Sequence, residues 1–186
     1  MIRPISRQAV IDLKRKVPNI CEMKATALNF IRFLNTLSSA LVMGIVFGVW
    51  IGFNPYHLSA GAYIEQQQNL ILGLNELMPI LGLGTILLTL FSAYYQRENK
   101  RTAFLLVIAS IFFIASGLVT RFGNQLINAE MILWDPLNPP VNWTQLRDKW
   151  WTLHSFRTGT ALAGLVLVTF TNTKVVSPSS FKNVHQ

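Results

Sequence analysis

Four long apolar segments, separated by polar connections, set the pattern of hydrophobic and polar positions in this chain. They run Leu34–Phe53, Leu77–Tyr95, Thr102–Thr120 and Thr158–Thr173, and none contains a charged residue. A helix needs about 20 apolar residues to cross a bilayer. The fourth segment is short, so we expect its helix to begin earlier, near Trp150, with polar first turns. The pattern predicts an all-α integral membrane four-helix bundle.

Composition and charge agree with a membrane location. Of the 186 residues, 51% are hydrophobic and 13% are charged, an unusual balance for a soluble domain. Lys and Arg precede the first segment, separate the second from the third and follow the fourth, whereas residues 54–76 contain none. Because basic connections mark the cytoplasmic side, we expect a protein of the bacterial inner (cytoplasmic) membrane with both termini cytoplasmic. The net charge of +8 then favours contact with anionic lipid, and no nucleic-acid partner is expected.

These segments divide the chain into three predicted regions. Residues 1–33 form a basic cytoplasmic extension, residues 34–173 the transmembrane domain, and residues 174–186 a flexible cytoplasmic tail. The start of the extension, residues 1–30, is either a short interfacial helix broken near Pro18 or a partly ordered tail. The single cysteine, Cys21, excludes a disulfide within one chain.

The third connection, between the third and fourth spans, is rich in proline and tryptophan. Three prolines and two tryptophans lie between residues 134 and 143, and such residues limit the freedom of a loop. We therefore expect a structured cap on the outer side of the membrane. Residues 54–76 have a helical pattern and are predicted to continue into the second span, as one helix from Ser59 to Tyr95 kinked at Pro79.

Glycines recur every four residues in the first span, at Gly44, Gly48 and Gly52. This spacing is typical of helices that pack closely in membranes. We expect the close contact to be made within the bundle, with a homodimer as the alternative.

Two polar stripes flank the third connection. Arg121, Asn124 and Asn128 recur at helical spacing before it, and a second series follows it: Arg147, Trp150, His154 and Arg157. Side chains three or four residues apart share one face of a helix. Both stripes are predicted to line one cavity near the outer surface. The plain alternatives are an interfacial belt of Trp and Arg and a structural network of hydrogen bonds between helices.

The remaining acidic and histidine residues give weaker indications of a functional site. Glu65 is either a general base or, more simply, an ion-pair partner of Arg147 or Arg157. His57 and His154 lack the spacing of a metal site, so no metal is expected, and the sequence predicts no particular cofactor.

The residues from Asn124 to Thr158 match the pattern N-x3-N, W, W-x3-R-x2-W-x3-H-x2-RT, and the segment YIEQQQNLILGLNELMPILG precedes the second span. Together these resemble the anthrone oxygenase-like family, over roughly residues 34–172. The resemblance implies small four-helix membrane proteins. Characterised relatives oxidise anthrones to anthraquinones with molecular oxygen.

The resulting hypothesis is a cofactor-independent oxygenase that acts on a planar phenolic or quinone-like, hydrophobic aromatic substrate. Its catalytic candidates are His154 as proton acceptor, with Arg147, Arg157 and Asn124 stabilising an enolate. Its substrate-binding candidates are Trp150, which would stack on the ring, Asn128 and Glu65. The alternative is a non-catalytic subunit of a larger membrane complex, or a lipid- or pigment-binding protein. A transporter is a third, weaker hypothesis, since four spans are few and no intramembrane charge relay is visible.

Overall fold

The computed structural model describes residues 20–173, and this range contains helices and no β-strand. In chain order the helices are α1 (Ile20–Gly52), a 3-10 turn (Pro55–His57), α2 (Ala60–Leu74), α3 (Leu77–Tyr95), α4 (Lys100–Val119), a π-helical turn (Thr120–Asn124), α5 (Gln125–Met131) and α6 (Trp143–Asn172).

Four of these helices form the predicted bundle. Helix α6 packs against α4 and α1, and α3 packs against the same two helices from the other side. The short elements α2 and α5 lie between α1 and α3 and between α4 and α6 along the chain, so they gather at one end, which we call the cap end. The opposite end, where α1 begins and α6 finishes, is the termini end. The predicted all-α four-helix architecture is confirmed.

Three helical segments are long and apolar enough to cross a membrane: Glu22–His57, Leu77–Tyr95 and Lys100–Met131. Their exposed surfaces carry many large apolar side chains, such as Phe104 and Leu83, which suit contact with lipid. Helix α6 does not reach the same hydropathy, because its cap-end half is polar. The chain is therefore an integral membrane protein in which the more polar α6 packs against two of the apolar helices, α1 and α4.

Helix α1 extends beyond the predicted first span. It begins at Ile20, and Ala25, Leu28 and Arg32 are buried against the bundle. The expected division between residues 33 and 34 thus falls inside a continuous helix. The interpretations of residues 1–19, including the break near Pro18, and of the tail 174–186 lie outside the described residues.

The expected long helix from Ser59 to Tyr95 is wrong: the chain forms two helices, with the break at Asn75 and Glu76. Pro79 explains the break, because it has no N–H to give to the carbonyl of Asn75 four residues earlier. That carbonyl instead accepts a hydrogen bond from Gln125 Nε2 at 3.2 Å. The interruption therefore ties α3 to α5.

The cap is structured, as predicted. Gln68 Nε2 donates to the carbonyl oxygens of Trp134 at 2.8 Å and Met131 at 3.2 Å. Gly61 lies so close to the loop that an added β-carbon would stand 2.9 Å from the carbonyl oxygen of Pro136. Helix α2 and the loop that follows α5 therefore pack directly on one another.

The glycine repeat of α1 does not pack within the bundle, so that expectation is wrong. Gly44, Gly48 and Gly52 are exposed, and a β-carbon added to any of them would meet no atom within 4 Å. The close approach occurs instead between α4 and α6, where a β-carbon on Gly164 would lie 2.8 Å from Phe113 Cζ.

Candidate functional site

The polar face of α6 points into the bundle near the cap end. Trp150, His154 and Arg157 are 3%, 0% and 8% exposed, and their spacing of four and three places them on one side of the helix. The same stripe continues towards the termini end as small residues, Ala161 and Gly164, which let α4 approach. Functional groups and close packing thus share one face of α6.

The π-helical turn of residues 120–124 changes which side chains α4 directs inward. A π turn adds one residue to a helical turn, so it shifts the register of everything that follows. Asn124 is buried and Asn128 is half-buried, but Arg121 is exposed. Arg121 therefore leaves the predicted stripe, and Thr120 takes its place facing α6.

Arg157 is a buried cation held by neutral partners. Its Nε donates to His154 Nδ1 at 2.9 Å, and its Nη1 donates to Thr120 Oγ1 at 3.3 Å. The ion pairs within residues 20–173 are Arg97 with Glu98 and Arg147 with Asp148, so no described carboxylate lies within 4 Å of Arg157. A buried charge without a counter-ion is costly, which makes this position suited to an anion.

The hydrogen bond from Arg157 fixes the tautomer of His154. Because Nδ1 accepts this hydrogen bond, the ring proton of the neutral imidazole lies on Nε2. Nε2 is buried and has no hydrogen-bond partner; the Val46 carbonyl lies near the ring but outside hydrogen-bonding geometry. One face of the ring stacks on Trp150, with centroids 4.9 Å apart and planes 8° apart.

Asn128 is the centre of a second hydrogen-bond cluster. Its Oδ1 accepts from Trp150 Nε1 at 2.8 Å and from Gln67 Nε2 at 3.4 Å, and its Nδ2 donates to Asn75 Oδ1 at 3.2 Å. Gln67 is 1% exposed, and its Oε1 has no partner. The cluster joins α2, α5 and α6 and leaves one buried acceptor unused.

These two clusters meet at a small cavity of about 30 Å³, which Arg157, Trp150, Asn128, Gln67 and Thr120 help to line. The rest of its wall is mainly apolar. A larger cavity of about 210 Å³ lies between α1, α3 and α4 and has chiefly apolar walls. We call the first the polar cavity and the second the apolar cavity.

An aromatic wall closes the site on the side of the cap. Tyr63 is fully buried, stacks on Phe53 with centroids 5.8 Å apart, and donates from its hydroxyl to Met131 Sδ at 3.5 Å. Burial raises the pKa of the Tyr63 phenol, which keeps it neutral. Tyr63 is therefore a wall and not a source of charge.

Asn124 serves packing more than the cavity. Its Nδ2 donates to the backbone carbonyl of Trp150 at 3.1 Å, while its buried Oδ1 has no partner. Asn124 lines neither cavity, and its hydrogen bond to Trp150 holds the π turn against α6.

Arg147 and Glu65 lie apart from the site. Arg147 Nε pairs with Asp148 at 2.8 Å, and its guanidinium lies 4.9 Å from the Tyr56 ring centroid and 5.0 Å from that of Trp143. Glu65 is exposed and forms no ion pair with Arg147 or Arg157. The structure therefore does not bring the predicted Arg147–Arg157 pair or the predicted Glu65 partner into one cavity.

Sequence reasoning missed four contributors to the site: Gln67, Asn75, Thr120 and Gln125. Asn75 had a readable signal, since it stands four residues before Pro79 and so carries a carbonyl with no helical donor. Thr120 had none, because the π turn that directs it inward leaves no clear mark in the sequence. Within the described part of the chain, no three His, Cys, Asp or Glu side chains lie close enough together to hold a metal ion.

Comparison with known proteins identifies a family model that matches more than half of the chain. A family model described as anthrone oxygenase matches residues 68–167. Searches of curated proteins and of solved structures found no match. The matched range contains the π turn, the cap loop and the polar half of α6, so it covers most residues that line the polar cavity.

Proposed function

This chain belongs to the anthrone oxygenase family, and we propose that it oxidises a planar phenolic or quinone-like molecule with molecular oxygen inside the membrane. The observation that carries the proposal is Arg157, a buried cation without a described carboxylate partner, which lines the polar cavity. A positive charge near a phenol or enol favours its ionised form. An ionised substrate is the electron-rich species that oxygen can attack.

Arg157 is the anion-binding residue in this scheme. Two of its five N–H groups are engaged, by His154 and Thr120, which leaves donors for a substrate oxygen. Donors that are already fixed in a site of low polarity stabilise developing charge more effectively than the same donors in water. Arg157 would therefore hold the enolate oxygen while oxygen reacts at carbon.

His154 acts through Arg157 in this proposal. Its Nδ1 already accepts the Arg157 N–H, and its ring lines neither cavity. This geometry favours a positioning role over the proton-acceptor role expected from sequence. Trp150 likewise stacks on His154, so its contribution is the N–H that orients Asn128.

The overall chemistry balances without another electron donor. An anthrone-type substrate has a CH2 group between two aromatic rings. Loss of one proton, which the peroxide anion later regains, gives an enolate. A C–O bond forms when its carbon adds to oxygen, and protonation gives a hydroperoxide. Loss of water then breaks the O–O bond and the remaining C–H bond and leaves a carbonyl. The CH2 group and one oxygen molecule become a carbonyl and one water.

The proposed topology places the termini end in the cytoplasm of a bacterium. At that end Asn172 Nδ2 donates to the carbonyl oxygen of Arg32 at 3.4 Å, so the start of α1 and the finish of α6 lie together. The basic connection at residues 97–101 joins the same end of α3 and α4. This arrangement supports one basic, cytoplasmic face. A tag on the N-terminus that reacts with an impermeant label in intact cells would contradict it.

A second candidate function, a non-catalytic subunit, is favoured by one observation. The exposed faces of Gly44, Gly48 and Gly52 have no packing partner among residues 20–173, and they could accept another transmembrane helix. Native mass spectrometry of the protein from its own membrane would show a stoichiometric partner or a second copy. A bare monomer there would remove the support.

The oxidation test uses purified protein in lipid nanodiscs, with anthrone as the probe. Oxygen uptake and anthraquinone absorbance are followed together, and nanodiscs without protein measure spontaneous oxidation. We expect catalysis by the wild type and a loss of about 100-fold or more in Arg157→Met, with partial retention in Arg157→Lys. No wild-type rate above the protein-free rate, or full activity in Arg157→Met, would contradict the proposal.

A further inference from the structure

The apolar cavity adjoins the polar cavity. Four residues line both of them: Met78, Pro79, Thr120 and Gln125. The other walls of the apolar cavity come chiefly from α1, α3 and α4, and include Val42, Val46, Leu83 and Phe113. The two cavities are therefore neighbours that share a wall, one with a polar end at Arg157 and the other chiefly apolar.

The two volumes assign different parts of a ligand to the two ends. One buried water needs a cavity volume of about 10–15 Å³. The polar cavity, at about 30 Å³, therefore holds one or two atoms of the size of oxygen. A cavity of about 150 Å³ is large enough to bind benzene, and the apolar cavity measures about 210 Å³. A ring fits only at the apolar end.

The apolar cavity opens on the lateral surface of the bundle. Pro79, Leu83 and Gly117 line it and are also exposed. The surface around this opening is largely apolar, since Ile80 and Leu118 are 69% and 52% exposed, although the exposed Arg121 also lines the cavity. In a membrane such a surface faces lipid chains, so the opening between α3 and α4 leads to the bilayer and not to water.

We infer that the apolar cavity is a lateral entry and binding chamber for a phenolic lipid, which enters from the bilayer between α3 and α4. The ring of this molecule occupies the apolar cavity, its hydroxyl oxygen reaches the polar cavity beside Thr120 and Arg157, and its alkyl chain remains in the opening. The role of Arg157 rests on the proposed function, whereas the entry route and the place of the ring rest on the cavity itself.

Two glycines make the chamber testable. Gly82 on α3 and Gly117 on α4 line it, and a β-carbon on either would meet no atom within 4 Å. Gly82→Leu and Gly117→Leu should therefore narrow the chamber without displacing the backbone. Gly84→Leu is the matched control, because Gly84 is exposed on α3, has equally open surroundings and lines neither cavity.

The probe is radiolabelled para-octylphenol, measured by equilibrium binding to the protein in phosphatidylcholine nanodiscs, with empty nanodiscs subtracted. We expect saturable binding of equal affinity by the wild type and Gly84→Leu. The two chamber variants should bind about tenfold or more weakly, which corresponds to about 1.4 kcal/mol. Equal affinity in all four proteins would overturn the inference.

A second measurement protects the test against variants that fold poorly. A para-alkylphenol with a diazirine on its chain is photolysed with the wild-type protein, and labelled peptides are identified by mass spectrometry. We expect labels in residues 78–87 and 113–121. Labels confined to other membrane-facing surfaces, such as the exposed face of α1, would contradict lateral entry between α3 and α4.

The outcomes separate this inference from the proposed function. Chamber-dependent binding without any oxidation supports the chamber and contradicts the oxygenase. Oxidation of anthrone that is unchanged in both chamber variants supports the oxygenase and contradicts the chamber.

Discussion

Each end of the bundle buries an arginine that donates to a neutral side chain, but the two arginines differ in whether they border a cavity. At the termini end Arg32 donates to the amide oxygen of Gln96, with Nε at 2.9 Å, and Gln96 Nε2 donates to Ser92 Oγ at 2.9 Å. At the cap end Arg157 donates to His154 and Thr120 and lines a cavity. Arg32 lines neither of the two cavities.

The comparison shows which signs of a site are informative. Buried polar atoms without a hydrogen-bond partner occur at both ends of the bundle. They are Asn35 Nδ2 and Ser39 Oγ towards the termini end, and Gln67 Oε1 and His154 Nε2 towards the cap end. These atoms alone therefore do not distinguish a binding site from a structural network. What distinguishes the cap end is that its cation and one of its unused acceptors border empty space.

Replacing each of the two arginines separately by methionine should give the largest difference in activity. Arg157→Met is expected to lower the rate of anthrone oxidation by about 100-fold or more, because the enolate loses its counter-charge. Arg32→Met should oxidise at close to the wild-type rate but unfold more easily, by about 1–3 kcal/mol, because Gln96 Oε1 loses its donors. Activity in nanodiscs and unfolding in mixed micelles measure both effects. Equal loss of activity in the two variants would contradict a catalytic role that is specific to Arg157.

The asparagines at the two ends should also respond differently. Asn128→Leu removes the partner of Trp150 Nε1 and of Asn75, and is expected to lower the free energy of unfolding by about 2–3 kcal/mol. Asn35 Oδ1 accepts from Thr89 Oγ1 at 2.8 Å. Asn35→Leu should have a smaller effect, because Thr89 Oγ1 also lies 2.7 Å from the Thr85 carbonyl oxygen and so keeps an acceptor. Unfolding in mixed micelles compares the pair. A larger loss in Asn35→Leu would contradict the assignment of partners.

The fit of the cap can be tested at two glycines of α2. Gly61→Ala would place its β-carbon 2.9 Å from the backbone oxygen of Pro136, and we expect a loss of about 1–2 kcal/mol from overpacking. Gly73→Ala meets no atom within 4 Å and should be neutral or slightly stabilising. Thermal unfolding of the two variants checks this. Similar stability in both would mean that the cap loop yields to the added methyl group.

The smallest expected effect concerns the pH response of the cap loop. The side chain of Asn138 and the backbone N–H of Leu137 donate to Asp135 and hold the pKa of its carboxyl below the usual range. A depressed pKa contributes stability above the pKa of the unfolded chain, and that stability is lost as the pH falls through the folded pKa. Amide hydrogen exchange in residues 135–142 should therefore accelerate in acid, after correction for the intrinsic rates. Asp135→Asn is the control and should lack this additional acid response.

The sequence was sufficient for the bundle because hydrophobic length and charge placement are local properties of the chain. Helical spacing also predicted that Trp150, His154 and Arg157 share one face of a helix, and all three are buried; whether they form a functional site stays a prediction. It misplaced Arg121 because a π turn shifts the register without changing the composition. The sequence pattern wrongly grouped Arg147 with Arg157 and Glu65, because helical spacing does not determine which partner a long side chain contacts. Arg147 instead contacts Asp148, Tyr56 and Trp143.

In the proposed function, Arg157 makes the polar cavity an anion site. The most direct measurement is the ionisation of bound para-nitrophenol, followed by absorbance during a pH titration of the protein in nanodiscs. We expect the bound phenol to ionise at lower pH than the free phenol in the wild type, and at higher pH in Arg157→Met, where an apolar surrounding without the cation disfavours the phenolate. Ionisation in the wild type at or above the pH of the free phenol would contradict the claim.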